Sequence, residues 1–265
     1  MDEQQEKGIN ITEQIDRDVT TTGIRSEKDD TLLLVERIFE ELKVDSGTTI
    51  LDLGCNTGYY HEYEQFYKFK FVGVDNRNDF RQNGNVYIQQ NLQSIPYSSI
   101  VQKFDYVMCL DVLEHLFRPD LFLMNIYKNL LNDGGYLLLS VPNIDAIDEK
   151  LTNTNIAVFN PELKFQTNGR WTAQHIRYFD FDTLGKLCKQ IGFKVSTVTG
   201  CNFYTSTLGQ LICKRFKEVF NIPIERTNRE LGNIIAGYAP NLFFLLRKPE
   251  KKDQTDVQTD KENIS

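Results

Sequence analysis

The chain has 265 residues, 40% hydrophobic and 25% charged, a length and balance that fit one large globular domain rather than long disorder. Thirty basic residues against 37 acidic give a net charge of −7, which argues against a broad basic face for sequence-blind nucleic-acid binding. No apolar run nears the ~20 residues of a membrane-spanning helix, the polar start is no secretory signal, and cysteines at 55, 109, 188, 201 and 213 form no C-x-x-C pair, so a reducing cytoplasm fits best.

Residues 1–26 read as a flexible arm. Asp29 or Asp30 is expected to cap a helix with Leu32, Val35, Ile38, Phe39 and Leu42 on one face. Strands are predicted at Thr49–Leu53, Phe71–Asp75, Val86–Gln89 and Phe104–Leu110, then at Tyr136–Val141, Phe193–Thr199 and Asn241–Arg247. Tyr59–Phe69 is helix-length, Pro119 opens a helix running to about Leu131, and Asp133-Gly-Gly is a turn. Asp182 is expected to cap a helix over Leu184–Ile191, stopped by Gly192. Within a domain over 27–248, residues 143–179 form a non-periodic insert of the kind that serves as a substrate lid, and 203–240 a helical insert. The tail, 249–265, is almost all polar and reads as disordered. Strands alternating with helices predict a doubly wound, mostly parallel seven-stranded sheet covered on both faces. The last two strands lack crossover spacing, so the final one is expected to run antiparallel.

The densest signal is Ile50-Leu-Asp-Leu-Gly-Cys-Asn-Thr-Gly58, a buried strand entering a glycine turn that opens a helix. At the carboxyl edge of a parallel sheet such a turn makes a ligand crevice. Its spacing is Gly54-x-x-x-Gly58, not the G-x-G-x-x-G of pyrophosphate binding, and Asp52 just before it would repel a pyrophosphate and attract an ammonium group. Asp75 ends the next strand, 21 residues after Gly54, where an acid accepts ribose hydroxyls. The ligand these groups suit is a nucleoside carrying a cationic amino acid.

On these residues the chain resembles the class I S-adenosylmethionine-dependent methyltransferases over about Thr49–Gly192. LDLGCNTG resembles the family's first motif, with Asn56 where glycine is usual, a mild departure because Asn tolerates left-handed backbone. VGVD resembles the ribose-binding motif, and Asn91-Leu-Gln-Ser-Ile-Pro96 the adenine segment, with Asn91 in place of the frequent Asp. FDYVMCLDVLEHL, LLNDGGYLLLSVPN and His175-Ile-Arg-Tyr-Phe resemble later elements of the small-molecule and glycan members. The resemblance implies a Rossmann-like fold, S-adenosyl-L-methionine as cofactor, and methyl transfer to a small molecule or glycan, foremost at oxygen. It assigns Asp52, Gly54, Asn56, Gly58, Asp75, Asn91, Leu92 and Asp111 to the cofactor.

Asp111-x-x-Glu114-His115 follows the fourth strand and admits three readings. One is structural, a cap and a backbone-satisfied acid. The second is catalytic: the sulfonium methyl is already electrophilic, so the protein must align the acceptor and take its proton, through His115 or His175. These two are the candidate catalytic residues, with no metal assigned. In the third, the same cluster with a His 60 residues on resembles the metal site of plant small-RNA 2′-O-methyltransferases. From the insert, Asn143, Arg170 and Trp171 are the candidate substrate contacts, Arg for an acidic group and Trp for stacking. The apolar and basic stretch 206–220 reads as core, dimer contact or a peripheral membrane surface. A nicotinamide-dependent oxidoreductase and a non-catalytic cofactor-binding subunit are the rival functions.

Overall fold

The computed structural model describes residues 29–58, 69–80, 85–94, 97, 99–146, 175–201, 215, 219 and 236–250. Helix α1 spans Asp29–Glu41, so Asp29 and Asp30 lie inside its first turn. The strands are β1 (Thr49–Leu53), β2 (Lys70–Asp75), β3 (Val86–Gln89), β4 (Phe104–Leu110), β5 (Leu131–Pro142), β6 (Lys194–Cys201) and β7 (Asn241–Arg247). They form one sheet in the order β3-β2-β1-β4-β5-β7-β6. The pairs among β1 to β5 are parallel, and β7 runs antiparallel to both β5 and β6. This is the predicted Rossmann-like sheet with an antiparallel final strand. The order reverses at β1 and β4, and the carboxyl ends of those strands are where open α/β sheets bind ligands.

Period-two alternation sends each strand's residues to opposite cores. Leu51, Val107, Leu139 and Phe244 face one core with Phe122 of α2 (Pro119–Asn125) and Leu184 of α3 (Phe181–Ile191). Ile50, Met108, Leu138 and Phe243 face the other, with Val35 and Phe39 of α1. Helices therefore cover both faces.

Three local expectations are corrected. Asp182 does not cap α3; Asp180 does, its Oδ1 accepting from Thr183 N at 2.7 Å within a capping box, while Asp182 sits in the first turn. β5 begins at Leu131, not Tyr136: the Asp133-Gly-Gly stretch is absorbed as an irregularity in the strand, with Gly134 at φ +83°. The helix from Pro119 turns into a wider π turn over Ile126–Leu130 before β5.

The 143–179 insert leaves and returns at one place. Asn143 bridges Phe179, and Ile144 N donates to Phe179 O at 2.9 Å. Residues 147–174, hence Arg170 and Trp171, lie outside the described residues, as do 1–28, 59–68, 251–265 and most of 202–235. Among the described residues no helix is long and apolar enough to cross a membrane.

Candidate active site

The glycine loop after β1 closes on itself and on β2. Gly54 N and Cys55 N both donate to Val74 O, at 2.7 and 3.2 Å, and Gly58 N donates to Cys55 O at 2.8 Å. Asn56 N donates to Asp75 Oδ2 at 2.9 Å. Four loop amides are thus engaged within the protein rather than offered to a phosphate. Asn56 has φ +53°, the left-handed backbone that its residue type tolerates.

Gly54 and Gly58 also have positive φ, +83° and +89°. A Cβ at Gly54 would overlap Val112, and one at Gly58 would overlap the ring of Tyr87, which stacks on Phe80 at 4.7 Å. The glycines are needed for packing as well as for backbone approach. Tyr87 belongs to no motif, so its part in the loop is visible only in the fold.

Acids flank this loop. Asp52 is 2% exposed, and Asp75 accepts a second bond from Arg77 N at 3.1 Å through Oδ1. Burial first, then the charges of Asp52 and Asp75, push the Cys55 thiol well above its usual range. Cys55 is therefore a neutral packing residue rather than a nucleophile. Two acids and no free run of amides fit a cationic nucleoside ligand and count against a dinucleotide. Asn91 and Leu92 lie on the loop after β3, where Asn91 Oδ1 accepts from Gln93 N at 2.9 Å and Leu92 O accepts from Tyr97 OH at 2.8 Å.

Beyond β4 the chain makes a strained turn. Asp111 has φ +55°, held by its N–H on Ser140 O at 3.1 Å and by Ser140 Oγ donating to Asp111 Oδ1 at 2.9 Å. A non-glycine residue in this region costs energy and persists where its surroundings over-determine it. The short turn Leu113–His115 then buries Glu114 to 2% exposure. Glu114 O accepts from Ile176 N and Arg177 N at 2.9 and 3.0 Å, which lays the returning segment of the insert beside it.

That contact brings His175 onto His115. Their ring centroids are 4.8 Å apart, and both Nε2 atoms face Glu114 Oε1, at 3.8 Å from His115 and 4.0 Å from His175. Burial, then the charge of Asp111, raises Glu114 to about 8. Burial, then His115, lowers His175 to about 4, so its imidazole is neutral near pH 7. Glu114 Oε2 is buried without a hydrogen bond among the described residues. One ligand atom from each of the three side chains falls within 4.8 Å of the others, an arrangement that can also hold a metal ion.

Asn143, expected to contact substrate, is fully buried. Its Nδ2 donates to Gly237 O and Ala239 O at 2.9 and 2.8 Å, and its Oδ1 accepts from Asp145 N at 3.0 Å. Its amide fastens the roots of the two inserts together, with both Nδ2 hydrogens engaged.

Residues 27–198 match the family described as a methyltransferase domain. A tRNA U34 carboxymethyltransferase of Campylobacter hominis is 31% identical over 156 residues, 52% of this chain and 53% of its own length. The chain therefore spans about half the length of that relative. A ubiquinone biosynthesis O-methyltransferase of Glaesserella parasuis is 24% identical over 59% of this chain and 70% of its own. Among solved structures, a SAM-dependent methyltransferase from Archaeoglobus fulgidus has a TM-score of 0.52 at 20% identity, covering 84% of this chain and 95% of that one.

Proposed function

We propose, on the premise that the chain belongs to the class I S-adenosyl-L-methionine-dependent methyltransferases, that it methylates an oxygen of a small-molecule acceptor. The observation that carries this reading is the His115–His175 pair, 60 residues apart in sequence and 4.8 Å apart between ring centroids. The bound cofactor supplies an electrophilic sulfonium methyl. What is left to the protein is to hold both partners in line and take the acceptor's proton.

The more open ring is His115, 35% exposed against 11% for His175. His115 takes the proton from the acceptor hydroxyl, and neutral His175 packs edge-to-face against its ring. Asp75 holds the ribose, Asn91 and Leu92 the adenine, and Asp52 and Asp111 favour the cationic end of the cofactor. Gly54, Asn56 and Gly58 shape the loop beneath it. Arg170 and Trp171 are proposed to meet the acceptor.

The ubiquinone-pathway relative supports an oxygen acceptor of small size. The tRNA-directed relative supports a nucleic-acid acceptor, and the net charge of −7 weighs against that choice.

A second reading rests on the same triad. Glu114, His115 and His175 supply one carboxylate and two imidazoles, the donor set of a borderline divalent cation such as zinc. A cation held there would polarise the acceptor hydroxyl. Methyl transfer from labelled cofactor into a pool of hydroxylated small molecules, run with and without chelator, separates the two. The base reading expects an unchanged rate. A rate abolished by chelator and restored by divalent cation establishes the metal. No transfer to any hydroxylated compound, with transfer to tRNA, overturns the small-molecule acceptor.

A further inference from the structure

The turn that carries His115 is anchored from two sides. On one side Glu114 O accepts from Ile176 N and Arg177 N. On the other the anchor is a single side chain. Gln93 Nε2 donates to His115 O at 2.8 Å, and Gln93 Oε1 accepts from Phe117 N at 3.0 Å. One primary amide thus fills a main-chain acceptor and a main-chain donor two residues apart, as a neighbouring strand would. A single bond would act as a hinge, whereas two parallel bonds fix direction as well as distance.

Gln93 is fixed at its own root. Its N–H donates to Asn91 Oδ1 at 2.9 Å, and Leu92 O is held by Tyr97 OH at 2.8 Å. The loop 91–93 is therefore an ordered arm whose tip grips a turn 22 to 24 residues away in sequence. We infer that Gln93 is a positioning residue that ties the adenine loop to the main chain of His115, so that filling the cofactor site also sets the histidine. The inference rests on the reading of Asn91–Leu92 as the adenine segment and of His115 as the base. Gln93 touches neither reacting group; it acts through the backbone of His115.

The test uses the full chain, S-adenosylhomocysteine as probe, and the histidine ring signals in NMR, with the His115 signal identified by its loss in His115→Gln. In the wild-type protein, saturating probe should move the His115 signal. Gln93→Met keeps length and packing but removes both bonds. It should bind the probe within about threefold of wild type, because the lost bonds are not to the ligand, while the His115 response falls below about half. Gln93→Glu should be intermediate, since its carboxylate still accepts from Phe117 N–H but opposes the His115 carbonyl.

An undiminished His115 response in Gln93→Met, or no response in wild type, overturns the inference. So does a large loss of probe affinity with the response retained at saturation, which would make Gln93 a ligand contact. Kinetics separate this failure from failure of the base reading. If Gln93 acts through His115, the double variant Gln93→Met/His115→Ala is no slower than His115→Ala alone. If His115→Ala runs at the wild-type rate, the base reading falls while the NMR response still decides the role of Gln93.

Discussion

Two acids stand at opposite ends of β4 and show what burial does with and without donors. Asp105, at the amino end, accepts from Thr49 N at 3.0 Å, Thr49 Oγ1 at 2.9 Å and Asn132 Nδ2 at 2.9 Å. Burial pushes its carboxyl up, but the Thr49 and Asn132 hydrogen bonds outweigh it and hold Asp105 below the usual carboxylate range. Glu114, past the carboxyl end, is buried with one oxygen lacking a hydrogen bond among the described residues, beside two histidines, and is raised to about 8. The first acid ties β1, β4 and β5 together. The second is held with capacity to spare, at the edge where α/β sheets bind ligands.

The largest expected effect tests whether the Glu114 end is the reactive one. His115→Ala should bind cofactor normally and lose turnover by roughly 10²–10⁴-fold, read as labelled methyl transfer. Equal turnover would reduce the cluster to a structural one. A middle case is Asp75, whose oxygens accept from two backbone amides yet keep lone pairs for a ligand. Asp75→Ala should weaken S-adenosylhomocysteine binding by about ten- to a hundredfold, from lost charged hydrogen bonds of about 1.5–3 kcal/mol. Calorimetry showing unchanged affinity would remove its ribose role.

Smaller effects sharpen the contrast through pH. Because Glu114 is raised, its favourable contribution is complete below the unfolded value near 4.5 and is lost as pH rises toward about 8. Glu114→Gln in metal-free protein should therefore gain stability at pH 9, on the order of 1–3 kcal/mol, and gain nothing near pH 4. Asp105 is the reverse: its contribution is present above the unfolded value near 3.8 and is lost as pH falls through the lower folded one. Asp105→Asn should cost about 1–2 kcal/mol at pH 7, tempered by partial exposure, and progressively less in acid. Denaturant titrations of both variants across pH check the opposite signs. Slopes of the same sign would break the comparison.

The core of the sheet is legible because β1, β4 and β7 are short, near-continuous apolar runs, with β1 running into Gly54 and β5 closing on Pro142. Asn56 stands where the resembled motif has glycine, and its φ of +53° is the left-handed backbone that Asn tolerates. The α3 cap was misassigned because Asp180 and Asp182 both precede the apolar face. Only the Thr183 hydroxyl, completing the capping box, distinguishes them. β5 was cut short because Asp133-Gly-Gly has turn composition, yet Gly135 lies where a Cβ would press on Asp105 O at 2.8 Å, a closeness that sequence does not display. At the site, both histidines were singled out from residue type and motif. Their meeting depends on the insert returning to Glu114 O. Gln93 bears no signal of its own, since its partners are 22 and 24 residues away and are main-chain atoms. Asn143 shows the same limit: at a strand's carboxyl end its residue type suggests a ligand contact, and nothing in the sequence displays the two carbonyls that its amide grips.

We propose that the methyl group is handed over at the Glu114–His115–His175 cluster. This is tested most directly by an experimental structure with S-adenosylhomocysteine bound. The ligand sulfur is expected to face the two rings, with at least one of them within ~10 Å, close enough for an acceptor placed between them to reach a ring nitrogen by hydrogen bond. A sulfur facing away, or both rings beyond that distance, would contradict it.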